Sequence, residues 1–191
     1  MDIKVININK SFKDQQVLNN VNFTFPSGKI TCIMGASGIG KTTLAYILMG
    51  LLKADSGEVD GLQGKKVSAV FQEDRLIEHW DGVKNIMLVC EPNITKEKVH
   101  DNLKEIGLTD YKGKSVKDLS GGMRRRVAVV RAILSDYDVL IMDEPFKGLD
   151  EELKKRVINY IKEKTKGKTV LIITHEKEEV ALLDANVITI A

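Results

Sequence analysis

Residues Gly35-Ala36-Ser37-Gly38-Ile39-Gly40-Lys41-Thr42-Thr43 match the pattern G-x-x-x-x-G-K-[ST], and their surroundings admit few folds. The apolar run from Ile30 to Met34 precedes them, and Leu44, Ile47, Leu48 and Leu51 follow at helical spacing. A strand, a tight glycine loop and a helix are therefore predicted, the opening unit of an α/β sheet. Three glycines let the loop turn its backbone N–H groups inward at a helix N-terminus, where the helix dipole favours phosphate. Gly35, Ala36, Ser37, Gly38, Ile39 and Gly40 would form the anion nest. Lys41 would set a charge on the β- and γ-phosphates, Thr42 would ligate Mg2+, and Thr43 would add a phosphate contact. The implied ligand is a nucleoside triphosphate.

The rest of the chain reads as the sheet this unit needs. Ile3 and Val5, then Val21, Phe23 and Phe25, alternate like strands around the polar turn Lys13 to Gln16, predicting an N-terminal antiparallel pair. Phe12, just before that turn, is either a stacking surface for a base or a half-buried sheet aromatic. Short strands are expected at Ser56 to Gly61 and Val67 to Phe71. From Leu76 to about Leu134 the pattern turns helical. Thr95 is placed to cap a helix that buries Val99, Leu103 and Ile106 and stops at Gly107. A second helix starts near Ser120 with Val127, Val130, Ile133 and Leu134 inward. Buried strands return in the run Val139 to Pro145, which ends in two carboxylates, and at Thr169 to His175, which ends in a histidine. Between them, Asp150 caps a helix with Leu153, Val157 and Ile161 on its apolar stripe and Lys and Glu residues on a solvated face. A short helix from Glu176 and a strand from Asn186 to Ile190 close the chain. The fold class expected is α/β, one domain over residues 1–191 with a helical subdomain inserted at about 76–135.

Ligands in such sheets lie beyond the carboxyl ends of the strands, where Gly35, Gln72, Asp143, Glu144 and His175 all fall. Two carboxylates ending a buried strand cost desolvation unless a cation or a reactive water uses them. Asp143 suits Mg2+ opposite Thr42, and Glu144 suits the general base that deprotonates the attacking water. Gln72 leaves its strand on the same side, within reach of a metal ion or water, although such an amide is also an ordinary loop residue. His175 is either a γ-phosphate or water contact or a solvent-facing strand end.

Composition removes other classes. A net charge of +2 over 191 residues, with both signs interspersed, offers no nucleic-acid surface, and Arg124-Arg125-Arg126 reads as a solvated helix face. Cys32 and Cys90 have neither metal-site spacing nor a redox partner. Met1 to Lys10 lacks the basic head and apolar block of a signal peptide. The longest charge-free apolar stretches are too short to cross a bilayer, so any membrane span is expected from another chain.

Leu119-Ser120-Gly121-Gly122-Met123 decides the class. It is a second anion-binding helix start in a chain that already has one. Ser120, Gly121 and Gly122 are thus expected to complete the nucleotide site of a neighbouring copy. With it the chain resembles the ATP-binding cassette (ABC) ATPases over essentially its whole length. Gly35 to Thr43 looks like the Walker A loop, Gln72 the Q-loop, Leu119 to Met123 the signature and Val139 to Glu144 the Walker B strand. Gly148-Leu149-Asp150 looks like the D-loop and His175 the switch histidine, while Phe12 matches the adenine-stacking aromatic.

That resemblance implies a P-loop NTPase core with a mostly parallel sheet, an N-terminal antiparallel β subdomain and a helical subdomain between Q-loop and Walker B. It further implies ATP and Mg2+ as ligands and a head-to-tail homodimer closing on two ATP molecules. The expected partners are an integral-membrane permease and, for import, a substrate-binding protein, which places the chain peripherally on the cytoplasmic face of the cell membrane. The motif details are most similar to importer ATPases of the nitrate, sulfonate and taurine type. Glu78-His79 and Arg125 depart from that type, which commonly has Pro-Trp and Gln there. The alternatives are a non-transport ABC ATPase acting in assembly or mechanochemistry, and a P-loop small-molecule kinase. The kinase leaves Ser120 to Met123 without a task.

Overall fold

The computed structural model describes residues 1–13 and 15–190. Its centre is a five-stranded, wholly parallel sheet in the order β5-β6-β7-β3-β8. The strands are β3 (Ile30–Met34), β5 (Val67–Val70), β6 (Val139–Asp143), β7 (Thr169–Ile173) and β8 (Asn186–Thr189). Every residue of β6 and β7 is buried, as expected of strands covered on both faces. Alternation sorts their side chains. Leu140, Met142, Val170 and Ile172 enter one core with the helices that precede and follow β6, while Val139, Ile141, Leu171 and Ile173 enter the other.

That second core is shared with helix α1 (Lys41–Leu48) and with an antiparallel sheet of order β2-β1-β4, built from β1 (Ile3–Phe12), β2 (Gln15–Phe25) and β4 (Ser56–Asp60). Ile3, Val5, Ile8, Leu18 and Phe25 supply its buried face. The predicted N-terminal pair is present, with Phe12 paired to Gln15 at the tip, and Asp14 of the predicted turn lies outside the described residues. Helix α1 is shorter than its apolar spacing suggests. It ends at Leu48, so Leu51, expected on its inner face, is exposed.

At Gly57 the antiparallel sheet leaves no room for a side chain. Its φ is +88°, and a Cβ there would stand 2.3 Å from the Asn7 carbonyl oxygen. Gly57→Ala should therefore cost at least about 2 kcal/mol, lowering Tm by roughly 4–8 °C in a domain of this size. An unchanged melting curve would show that β4 does not pair with β1 in this register.

Between β5 and β6 lie α2 (Gly82–Met87), α3 (Lys96–Glu105), a 3-10 turn at Val116–Asp118 and α4 (Gly121–Leu134). The caps are those expected: Thr95 Oγ1 accepts from the Lys98 N–H at 3.3 Å and Ser120 Oγ from the Met123 N–H at 3.3 Å. Val99, Leu103, Ile106, Val127 and Val130 are buried as the spacing predicts. Asp150 caps α5 (Glu151–Lys164) through the Leu153 N–H at 2.9 Å. Helix α5 then joins the inserted helices to the core, because buried Tyr160 donates its hydroxyl to Asn102 Oδ1 at 2.8 Å. The short α6 (Lys177–Leu183) leads into β8.

Two expectations about charged helix faces are corrected. Lys154, assigned to the solvated side of α5, is 7% exposed and bonded to Glu176 Oε2 at 2.6 Å and Glu151 Oε1 at 3.1 Å. Within the arginine triplet, Arg125 and Arg126 are 6% and 8% exposed. Their guanidinium groups donate to backbone carbonyls, Arg126 to Gly122 at 3.0 Å and Gly107 at 2.6 Å. A planar fork of five donors can address carbonyls from two segments at once, here the start of α4 and the turn after α3.

Candidate nucleotide-binding and catalytic site

Four predicted site segments leave the same edge of the parallel sheet: Gly35 after β3, Gln72 after β5, Glu144 after β6 and His175 after β7. The loop after β3 closes on Gly40, which caps α1 at φ +106°. A Cβ there would lie 2.7 Å from Leu18 Cδ2 and 2.9 Å from the Val17 carbonyl oxygen, so the loop passes under β2 only as glycine. Lys41 Nζ donates to the Gly35 and Ala36 carbonyls at 2.9 and 2.8 Å, folding the ammonium across the loop mouth. Phosphate oxygens arriving there would compete with these two neutral acceptors and win on charge.

Thr42 Oγ1 donates to Asp143 Oδ2 at 2.7 Å, joining the start of α1 to the end of β6. Asp143 is buried, and that burial pushes its carboxyl pKa up; the Thr42 hydrogen bond opposes the shift and the neighbouring Glu144 adds to it. One hydroxyl undercompensates a buried carboxylate, which is the environment a divalent cation relieves. The hydroxyl, carboxylate and Gln72 amide are all hard oxygen donors, so the residues present fit Mg2+.

Glu144 follows with a left-handed backbone, φ +49°, which costs a non-glycine residue about 1–2 kcal/mol. A hydrogen bond from its N–H to the Ile173 carbonyl at 3.0 Å holds it to β7. This turn swings the side chain out of the sheet. Glu144 Oε1 then lies 3.7 Å from His175 Nδ1, and Oε2 lies 3.0 Å from Lys147 Nζ. Oε2 is buried without a well-aligned donor. A left-handed backbone and a buried carboxylate oxygen whose nearest cation is the exposed Lys147 thus coincide at one residue.

Phe12, Ser37, Gly38, Gly40, Lys41, Thr42, Thr43, Gln72, Asp143 and Glu144 line a single cavity of about 470 Å3, a volume suited to a small-molecule ligand. Phe12 ends β1 as a sheet aromatic, and its ring also reaches the cavity, so the structure is compatible with both readings. The side chain is 47% exposed at the cavity edge, with Lys10 Nζ 5.5 Å from the ring centroid. Gly35, Ala36 and Ile39 complete the loop without lining the cavity. His175 lines a neighbouring cavity with Glu144 and Lys154.

Ser120, Gly121 and Gly122 stand apart from the Walker A cavity. They line another, of about 510 Å3, with Asp74, Lys147 and Asp150. A Cβ on Gly122 would lie 3.3 Å from the Gly148 carbonyl oxygen, so the helix start packs directly on the Gly148-Leu149-Asp150 loop.

Two groups escaped the sequence reading. Lys147 pairs with Glu144 at i+3, a spacing legible in the sequence. Lys154, Glu176, Glu179 and Thr174 form a network beneath His175. Glu179 and Thr174 are hydrogen-bonded, and Lys154 Nζ is 3.8 Å from Glu179 Oε1. Burial raises the Glu179 carboxyl pKa, whereas the Lys154 hydrogen bond lowers that of Glu176. The sequence separation of 22 residues between Lys154 and Glu176 hides the pairing.

Comparison with known proteins agrees with this geometry. The family profile described as ABC transporter matches residues 18–147. The taurine import ATP-binding protein TauB of Roseobacter denitrificans is 37% identical over 192 positions, covering 92% of this chain and 70% of that protein. The spermidine/putrescine import ATP-binding protein PotA of Bacteroides thetaiotaomicron is 34% identical over 206 positions, 99% of this chain but 44% of the longer relative. Among solved structures, the dimeric structure of MJ0796, a bacterial ABC transporter cassette, superposes with a TM-score of 0.86 at 25% identity, covering 98% of this chain and 94% of that one. A dimeric post-hydrolysis state of the same cassette, bound to ADP and Pi, gives 0.85 at 25% identity. With the phosphate loop, the Thr42–Asp143 contact and the strained Glu144 arranged on one sheet edge, the chain belongs to the ABC transporter family.

Proposed function

We propose that this chain is the ATP-binding and ATP-hydrolysing subunit of an ABC importer, acting as a head-to-tail homodimer that drives a separate membrane permease. The observation that carries the dimer reading is the division of the site. Lys41, Thr42, Gln72, Asp143 and Glu144 share one cavity, whereas Ser120 to Gly122 open onto another. A phosphate held by one copy's loop lacks the second helix start until another copy presents it. The import reading follows from the relatives, two of which are named as import ATP-binding proteins.

In the chemistry this implies, ATP enters beside Phe12, whose exposed ring stacks on the base. Lys41 leaves the Gly35 and Ala36 carbonyls for the β- and γ-phosphates, and loop N–H groups hold the remaining oxygens. Thr42, Asp143 and Gln72 would hold Mg2+, which supplies charge neutralisation on the phosphates when bound. Glu144 orients a water in line with the γ-phosphorus and accepts its proton as the new P–O bond forms and the bond to the β-phosphate oxygen breaks. His175, beside Glu144, donates to the γ-phosphate. Ser120 and Gly122 of the second copy complete the enclosure.

The helical subdomain at about 76–135 is assigned the coupling role. Ile77, Trp80, Leu88 and Val89 are each exposed there, apolar side chains that a membrane subunit's cytoplasmic segment could cover. Among the described residues no helix is long and apolar enough to cross a membrane, so the span would come from that partner, with the chain on the cytoplasmic face.

Ser120→Arg tests the composite site. Single copies should still bind ATP, while ATP-dependent dimerisation by light scattering is lost. Loss of ATP binding by the single copy would instead place Ser120 in its own copy's site, and an intact dimer would remove it from the interface. For the transport role, purification from host membranes in mild detergent should bring down a protein with several membrane spans. Recovery with ribosomes or a soluble assembly factor would favour the non-transport alternative.

A further inference from the structure

Arg125 has no part in the chemistry above, yet it is one of the most buried charges in the protein. It lies on α4, little more than a turn beyond Ser120, and its guanidinium crosses to the chain leaving β5. Nη1 donates to the Phe71 carbonyl and Nη2 to the Gln72 carbonyl, both at 2.5 Å, while Nε lies 3.3 Å from Asp74 Oδ1. Further along the same helix, Arg131 Nη1 donates to the Arg75 carbonyl at 2.8 Å and Nη2 to the Asp74 carbonyl at 3.1 Å. Helix α4 thus holds the main chain on both sides of Gln72 and downstream of it.

Stability alone does not call for this arrangement. A buried ion pair gains little over apolar packing of similar volume. Here Asp74 illustrates the cost: its Oδ1 is buried without a well-aligned donor although Arg125 Nε lies 3.3 Å away. What the guanidinium supplies is geometry, since its planar fork addresses two successive carbonyls at once. The consequence is mechanical. Gln72 lines the Walker A cavity, and its backbone is fastened to the helix that Ser120 caps and Gly121 and Gly122 begin.

We propose that Arg125 is a positioning residue that ties Gln72 to the signature helix, so that the metal-facing amide of one site and the helix start offered to the partner's site move as one body. This rests on the roles given above to Gln72 and Ser120. Coupling of this kind travels through a contiguous rigid element, and α4 with its arginines is such an element.

A double-mutant cycle tests it, with kcat and KM for ATP measured for wild type, Gln72→Ala, Arg125→Gln and the double variant. Arg125→Gln should lower kcat about three- to thirtyfold while single copies bind ATP as wild type. Arg125→Lys, which reaches one carbonyl, should fall between. In the Gln72→Ala background, Arg125→Gln should cost nothing further, because its route to the site is already gone. If the two losses multiply, or if Arg125→Gln turns over like wild type, the positioning role is wrong. Wild-type kcat in Gln72→Ala alone would overturn the assignment of Gln72 itself, a separate failure and one that removes the basis for the clamp. Should Arg125→Gln unfold, Arg125→Lys takes its place in the cycle: a kcat loss that vanishes in the Gln72→Ala background supports the clamp, and losses that multiply overturn it.

Discussion

Glu144→Gln is expected to reduce ATP turnover by roughly 100- to 10,000-fold, the range spanned by removal of a general base, while leaving ATP affinity near wild type. The substitution is close to isosteric, and a glutamine accepts the left-handed backbone at φ +49° no worse than a glutamate. The ion pair it removes, with a mostly exposed Lys147, contributes little to folding. The fold and the Lys41–Thr42 side of the site should therefore survive while the proton acceptor is lost. With ATP bound and uncleaved, the dimer should accumulate and be visible by size-exclusion chromatography with ATP and Mg2+, dispersing when nucleotide is withdrawn. Wild-type turnover in this variant would take Glu144 out of the mechanism and leave His175, at 3.7 Å, as the next group to test.

Lys41→Ala acts at the opposite end of the same cavity. It deletes the one ammonium folded over the loop, together with two hydrogen bonds to the Gly35 and Ala36 carbonyls. Neither carbonyl is deeply enclosed, so water can replace the lysine in the free protein, and the unliganded melting temperature should hardly move. The loss should appear with nucleotide present. Removing one member of a desolvated charge pair costs about 2–5 kcal/mol, so ATP affinity should fall by roughly one and a half to three and a half orders of magnitude. Calorimetry measures it directly. A second readout is the thermal shift: ATP that raises the wild-type Tm by mass action should leave the variant's unchanged at the same concentration. Unaltered binding would refute the phosphate-loop assignment, on which the cavity's identity depends.

The two variants should separate binding from chemistry, because the two side chains are held from different elements. Lys41 is fixed from α1 and its own loop and Glu144 from β6 with its N–H tied to β7, and the hydrogen bond between their neighbours Thr42 and Asp143 is left intact by either substitution. Substituting one should therefore leave the other in place. Thr42 and Asp143 are different: their 2.7 Å hydrogen bond makes them a unit, so substitutions there should be non-additive.

Much of this was legible in the sequence because it depends on local periodicity and short motifs. The glycine loop, the Thr95, Ser120 and Asp150 caps, the continuous apolar strands and the carboxylates ending β6 each follow from residues within a few positions of one another. Their order along the chain was enough to place Gly35, Gln72, Glu144 and His175 at one edge of a parallel sheet. What the sequence could not determine was the fate of charged side chains whose partners lie far away. Arg125 and Arg126 looked like a solvated triplet, and Lys154 like one more lysine on a wet helix face. Burial of a charge depends on whether a carbonyl or carboxylate distant in sequence arrives to meet it, and only the tertiary structure brings Gln72, Gly107 and Glu176 to those guanidinium and ammonium groups. The left-handed turn at Glu144 is of the same kind. It is held by the Ile173 carbonyl of the neighbouring strand, a partner no local pattern announces.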